Sequence, residues 1–341
     1  MIKKIVLLLT FVLVVGLQAQ TTLSMEVWTR YSMTRTNSKT TQSTFSLERG
    51  YLRLDPTFTD KIKGRFNLDF FSSDKYNDGA GLKLKYAYVE FNQLVPIKYS
   101  KVVVGLDKTY FGTIYDWEYM TIEKALEDKE KIVSSADYGI SLNGSIPNGF
   151  GEYAVALVNG EGYSKAGSKL NINPAPMVNL RLIPLSGVTF GGSMLYEKAN
   201  FTDTIRAAYD KRLDYTGVLK LAYGPVDAWF EYLVQQYGVT TRGVYNETKS
   251  QGFMIMPVVH LGLAVDLVGR YDMWDKDTKT ANDAYSRIIG GLNWNILRDA
   301  QGAPNLFIQA NWQHTTFQNN TVKPTDEMMI QLRWKFSNTL N

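Results

Sequence analysis

Cysteine is absent from the 341-residue chain, and histidine nearly so, with only His260 and His314. Without cysteine there is no disulfide scaffold, no thiolate nucleophile, no cysteine-ligated zinc and no lipid-modified cysteine near the amino terminus. Two histidines leave little room for imidazole-based metal or acid–base chemistry. A charge excess of one sign is missing as well. The 37 basic and 33 acidic residues give a formal +4, without the clearly basic face that nucleic acid asks for. Beyond the first twenty residues no run is apolar enough for a transmembrane helix. What remains is an ordinary apolar share of 45%, too high for a disordered chain. Aromatics reach 13% and Gly numbers 27, a mixture that favours β-structure rich in turns.

The first segment sets a compartment. Lys3 and Lys4 precede an apolar run over Ile5–Val15, and Leu17-Gln18-Ala19 follows as a cleavage site. This is the pattern of a secretory signal peptide over residues 1–19, and the run falls short of the ~20 residues a spanning helix needs. The remaining residues, 20–341, read as one domain. Losing two lysines with the leader leaves that domain close to charge balance.

A β-barrel in a membrane hides its apolar residues at every second position, so periodicity rather than mean hydropathy is informative. In Ile62–Phe70, Ile62, Gly64, Phe66, Leu68 and Phe70 share one face while Lys63, Arg65, Asn67 and Asp69 share the other. Met328, Ile330, Leu332, Trp334 and Phe336 alternate in the same way with Gln331, Arg333 and Lys335. A period of two is that of a strand with one apolar face. About sixteen segments of roughly 8–11 residues are expected, at a spacing near the ~20 residues that a tilted membrane strand plus its connection occupies.

The expected connections alternate in length. Short ones, such as Asp55–Asp60, Pro147–Phe150, Pro184–Gly187 and Met256–His260, each carry a proline, which cannot donate a ladder hydrogen bond. Long polar ones include Thr34–Thr44, Tyr110–Ala136 and Tyr237–Ser250. Short turns on one side and long loops on the other are the layout of an outer-membrane barrel. Trp28, Trp294, Trp312 and Trp334 fall where interfacial girdles belong. A soluble sandwich would not require loop lengths to alternate with parity. Glu48 and Arg49 share a face only if the second strand is bulged.

The longest connection, Tyr110–Ala136, lies between strands five and six. Its middle, Thr121–Val133, has helical composition, with Thr121 as a cap, a Glu127/Lys131 pair and a partial stripe of Ile122, Ala125, Leu126 and Ile132. With the aromatic cluster of Tyr110, Phe111, Tyr115, Trp117 and Tyr119, it is expected to fold into the lumen and narrow it.

The stretches Phe45–Leu54, Gly64–Phe70, Leu84–Phe91 and Val102–Lys108, in that order and spacing, resemble the phosphate-selective porin O/P family. The closing Gln331–Phe336 agrees by layout. That resemblance implies an all-β, transmembrane antiparallel barrel of sixteen strands, a homotrimer, passing anions or small polar solutes across a bacterial outer membrane. The last strand also resembles the signal read by the barrel assembly machinery, except that Ser337–Asn341 follows its aromatic residue. The third loop departs from the family's basic constriction. It holds Asp116, Glu118, Glu123, Glu127, Asp128 and Glu130 against Lys124, Lys129 and Lys131.

Alternation assigns Arg49, Arg53, Lys63, Arg65, Arg181, Lys220, Arg270, Arg287, Arg333 and Lys335 to the lumen. Asp69, Glu90, Asp107, Asp214, Asp227, Glu231 and Asp266 join them there, leaving a mild positive bias. Tyr115, Asp116, Glu118, Glu123, Lys124, Glu127, Asp128 and Lys131 are the expected constriction residues. Arg49, Arg53, Lys63 and Arg65 are expected to form a basic strip facing the loop's carboxylates. No nucleophile motif accompanies either histidine, no spacing matches a metal loop, and no phosphate-binding glycine loop is present. The expected function is passive diffusion with at most slight anion preference, without cofactor, metal or catalysis. A non-conducting structural or secretion-associated barrel is the alternative.

Overall fold

The computed structural model describes residues 20–75, 79–165, 173–198, 210–262, 264–298 and 304–340. The leader expected over residues 1–19 lies outside the described residues. Eight strands make the first half: β1 (Gln20–Thr36), β2 (Lys39–Thr59), β3 (Ile62–Ser72), β4 (Ala80–Asn92), β5 (Ser100–Lys108), β6 (Ala136–Ile146), β7 (Gly151–Val158) and β8 (Ala175–Leu185). The second half is β9 (Val188–Lys198), β10 (Lys211–Tyr223), β11 (Val226–Thr241), β12 (Val244–His260), β13 (Val265–Asp275), β14 (Tyr285–Arg298), β15 (Pro304–Phe317) and β16 (Thr325–Leu340). Each pairs antiparallel with its sequence neighbours, and β1 with β16, closing a barrel.

Period two decides which way each side chain looks. On β8, Pro176, Val178 and Leu180 are exposed, while Ala175, Met177, Asn179 and Arg181 between them are buried. The exposed set continues around the outside through Phe66, Phe70, Val155, Leu157, Ile288, Leu292, Ile330 and Leu332. A continuous apolar wall without a covering layer is what a hydrocarbon environment stabilises. Trp294 and Trp312 belong to it, and Trp334 stacks on Phe336 there with ring centres 6.2 Å apart. Trp28 does not. It is 3% exposed and faces the lumen, because it shares its face with Glu26 and Arg30 rather than with Val27 and Thr29.

Nine of the sixteen strands exceed their expected lengths. Thr34–Thr44 and Tyr237–Ser250 are mostly ladder, tightened at Asn37-Ser38 and Arg242-Gly243. Both residues of each turn have positive φ, from 51° to 80°, the two-residue turn whose twist matches the flanking strands. Prolines are not confined to connections either. Pro56, Pro176, Pro184 and Pro257 lie inside strands, and the β12–β13 ladder is interrupted between Ile255↔Tyr271 and Val258↔Val268, where Pro257 supplies no N–H. The residues after Phe336 also join the ladder, Ser337 to Leu340 pairing with Ser24 to Thr21.

Two bulges point extra side chains inward. Arg49 faces Trp28 and Leu47 faces Thr29, so Glu48 is left unpaired and both Glu48 and Arg49 reach the lumen. Glu48 there meets Arg30 at 3.0 Å. Lys85 is extruded the same way from β4, between Leu84 and Tyr86. The apolar core sits inside the barrel. Ala154, Ala156, Met177, Leu195, Leu233 and Met254 of the wall pack against Phe111, Leu126, Ile132 and Val133 of the third loop. At roughly 1.5–3 kcal/mol per large buried side chain, this contact holds the loop inside.

Candidate functional site

The third loop, residues 109–135, leaves β5 and crosses the inner wall toward β15. It then turns back above itself to β6. Its outbound half is pinned strand by strand. Arg181 of β8 donates to the Gly112 carbonyl, and Ser193 of β9 accepts from the Gly112 amide at 3.0 Å. Lys220 of β10 pairs with Asp116, and Gln309 of β15 donates to the Tyr119 carbonyl at 2.7 Å. On the return, Asn311 accepts from the Ile122 amide at 2.5 Å and Arg270 donates to the Lys124 carbonyl at 2.7 Å.

These wall contacts explain why the expected helix over Thr121–Val133 shrinks to one turn, α1 (Leu126–Lys129), beside a single 3-10 turn at Ile114–Asp116. Backbone groups that a helix would pair internally are taken by wall side chains. Ala125, not Thr121, stands at the amino-terminal end of α1, and Lys124 pairs with Asp128 at 3.8 Å in place of Glu127 with Lys131.

Glu127 goes elsewhere. Its carboxyl accepts from the Ile114 amide at 2.5 Å and lies 3.3 Å from the Thr113 hydroxyl. Glu231 of β11 accepts from the Thr113 amide at 3.1 Å, and its other oxygen lies 2.8 Å from the Thr113 hydroxyl. Burial and the neighbouring Glu231 push the Glu127 carboxyl well above the usual range. Gly112 (φ 50°) is required at this point, since a Cβ there would strike both carboxyls. Glu123 shows the opposite balance. Burial would raise it, but Lys129 and Arg287 outweigh that and bring it to about 2.

The alternation places the expected wall residues on the lumen face, most of the basic ones in two groups. Arg181, Arg270 and Arg287 are buried behind the loop. Arg270 and Arg287 both bond Asp272, with Nε at 2.8 and 2.9 Å. Lys220 is committed to Asp116 and stacks on Trp229. The second group keeps part of its surface open: Arg49, Arg53, Lys63, Arg65 and Asp107 on β2, β3 and β5, and Arg333 on β16. Arg65 pairs with Asp55 at 2.6 Å, and Asp107 accepts from the Tyr110 hydroxyl at 2.9 Å. Asp69 is 1% exposed, 3.7 Å from Lys83.

Arg49, Arg53, Lys63 and Arg65 thus share the lumen face of β2 and β3, but the loop acids do not confront them as a set. Glu123, Glu127 and Glu130 turn to the wall or to neighbouring loop residues, Glu130 accepting from the Tyr285 hydroxyl, and Asp128 lies beside Lys124. Lys124 and Lys131 are exposed, and Tyr115 packs at a tilt against Tyr110 with Lys108 over its ring at 4.2 Å. What meets the lumen face of β2 is Tyr119, whose hydroxyl accepts from Arg49 at 3.3 Å. Asp116 and Glu118 face the lower lumen instead, Glu118 exposed. There, His260 closes β12 rather than sitting in a turn, its ring nitrogens 3.0 Å from Asp227 and 2.7 Å from Asp266. His314 meets Asp326 at 2.8 Å on the outer wall. Both imidazoles are thus held by carboxylates and lie on opposite faces of the barrel.

Sequence reasoning missed Trp28, Tyr51, Asp272 and Phe307 as lumen residues. Trp28 was legible from its flanking charges, Glu26 and Arg30 two residues away on either side. Asp272 was not, because a lone acid on an alternating strand does not reveal that two arginines of neighbouring strands converge on it.

A sixteen-stranded closed barrel with an apolar outer wall, a polar lumen and an infolded third loop has the fold of the outer-membrane porins. No family profile matches the chain, and no curated protein matches its sequence. Solved structures do. The outer-membrane channel DcaP of Acinetobacter baumannii superposes with a TM-score of 0.69 at 11% identity, over 94% of this chain and 98% of that one. Salmonella typhi OmpF gives 0.66 at 10%, over 94% and 98%. An anion-selective porin from Comamonas acidovorans gives 0.65 at 12%, over 93% and 100%.

Proposed function

We propose that the protein is a passive diffusion channel of a bacterial outer membrane, admitting small polar or anionic solutes with slight anion preference, and that it is not an enzyme. The observation that carries this reading is the separation of charge around the loop. Behind the loop, the cations of β8, β10, β13 and β14 are bonded to loop carbonyls or carboxylates. On β16, β2 and β3, Arg333, Arg49, Arg53 and Lys63 keep surface open to the lumen. Charges at the narrowest section decide which ions a wide pore favours.

Membership of the phosphate-selective O/P group is the finer reading. The strand motifs over Phe45–Lys108 support it, and so does the basic strip. The acidic third loop argues for broader anion traffic than phosphate alone. A homotrimer, a leader cleaved after residue 19 and insertion by the barrel assembly machinery belong to the same reading. In planar bilayers the purified protein should give stepwise conductance, and a salt gradient should give a reversal potential of modest anion preference. The competing reading, a silent structural or secretion-associated barrel, draws support from the tight packing at loop level, where Asn67, Gln309 and Gln331 are fully buried. Insertion without conductance would establish it.

A further inference from the structure

Four lumen residues form one lateral row across adjacent strands. Phe307 (β15) stands opposite Arg333 (β16), Arg333 opposite Trp28 (β1), and Trp28 opposite Arg49 (β2). Strands lie ~4.8 Å apart, so flat side chains standing inward from such a row stack on one another. The Arg333 guanidinium carbon is 4.2 Å from the Phe307 ring centre and 4.1 Å from that of Trp28, and the Arg49 carbon is 4.5 Å from Trp28. Tyr119 caps the row from the loop, its ring 4.7 Å from Trp28 and edge-on to it.

The cations of this row are short of acceptors. Arg333 gives Nη2 to Glu26 at 3.1 Å, but its Nε and Nη1 are buried without a hydrogen-bond partner. Arg49 bonds only the Tyr119 hydroxyl among the described residues. Arg53, one inward position below Tyr51, has no carboxylate partner among them, and its Nε is buried and unbonded. Buried donors without acceptors are costly, and an acceptor arriving from the lumen relieves that cost.

Resting on the channel reading, we propose that this row is a subsite for planar carboxylates, aromatic acids above all. With both faces of Arg333 covered by rings, only the edges of its guanidinium remain, so an acceptor must approach in the guanidinium plane. A carboxylate conjugated to an aromatic ring is flat throughout and enters as one more layer, paired at its oxygens and stacked at its ring. A puckered acid or a tetrahedral phosphate carries atoms out of that plane and must spread the stack.

Benzoate, cyclohexanecarboxylate and inorganic phosphate, each added to the purified full chain conducting chloride in a planar bilayer, test this. Benzoate should interrupt the chloride current at about tenfold lower concentration than cyclohexanecarboxylate, the size of one aromatic stacking contribution. Trp28→Leu should erase that gap, whereas Trp294→Leu on the outer wall should keep it. Arg53→Gln should raise the blocking concentration of both carboxylates together, and it serves alone if Trp28→Leu does not fold. Equal block by all three anions in a conducting channel overturns the subsite and leaves the channel reading intact. A barrel that never conducts overturns the channel reading. The subsite is then read from tryptophan fluorescence in micelles, where benzoate quenching no stronger than that by cyclohexanecarboxylate overturns it.

Discussion

Glu127 of the loop and Glu231 of β11 close on the same residue, Thr113, from two sides. Two acids in one dry pocket cannot both ionise cheaply, and the raised Glu127 carboxyl keeps the proton. Thr216 and the amides of Thr113 and Ile114 complete their surroundings. Above the ordinary value of 4.5, an unfolded Glu127 has released its proton while the folded one retains it. Stability from this pair is therefore greatest in acid and falls as pH rises toward the raised value.

Glu127→Gln, which keeps the shape without the titration, should flatten that decline. Thermal unfolding and single-channel current noise followed from pH 5 to pH 9 should diverge between the two proteins at the alkaline end. Identical pH profiles would place the proton elsewhere.

Asp272 holds Arg270 and Arg287 together with almost no exposed surface. Asp272→Asn leaves two buried guanidinium groups short of a counter-charge, which costs roughly 3–5 kcal/mol. The heat-modifiable shift of the folded barrel on a denaturing gel should move to clearly lower temperature. An unchanged transition would mean that Glu123, 3.6 Å from Arg287, suffices.

Removing Thr121–Val133 takes away the return half of the loop and its apolar anchors Leu126, Ile132 and Val133. Conductance should rise severalfold in a correctly folded variant, because the narrowest section sets the resistance. A conductance equal to that of the intact protein would show the loop to be peripheral to the ion path.

Arg53 and Arg65 contribute differently to selectivity. Arg53→Gln removes a free charge. Arg65→Gln also unmasks Asp55, so its shift toward cations should be at least as large. Reversal potentials at low salt resolve this best, since lumen charges are screened beyond about 8 Å at physiological ionic strength. Shifts toward anions would contradict the lumen assignment.

Strand number and closure were legible because period two is written residue by residue. The bulge at Glu48 was legible for the same reason, since two adjacent charges broke the alternation. Local composition misled in the loop, where Thr121–Val133 has helical propensity but Asn311 and Arg270 compete for its backbone groups. Turn length was misjudged where Asn37-Ser38 and Arg242-Gly243 let polar strands run on past the apolar belt. Threonine-rich ladder and polar loop have the same composition, and only the positive φ of the turn separates them.

The pairing of β1 with β16 has a consequence for how the barrel comes into being. Thr22 and Thr339 meet across 317 positions of sequence, so the seam is the contact of greatest sequence separation and the costliest in loop entropy. Until β16 emerges, β1 is a bare edge of unpaired amides and carbonyls beside an apolar face, a template for aggregation. Ser337–Leu340 extends the seam to its last rung, so trimming these residues should slow closure more than it weakens the finished barrel.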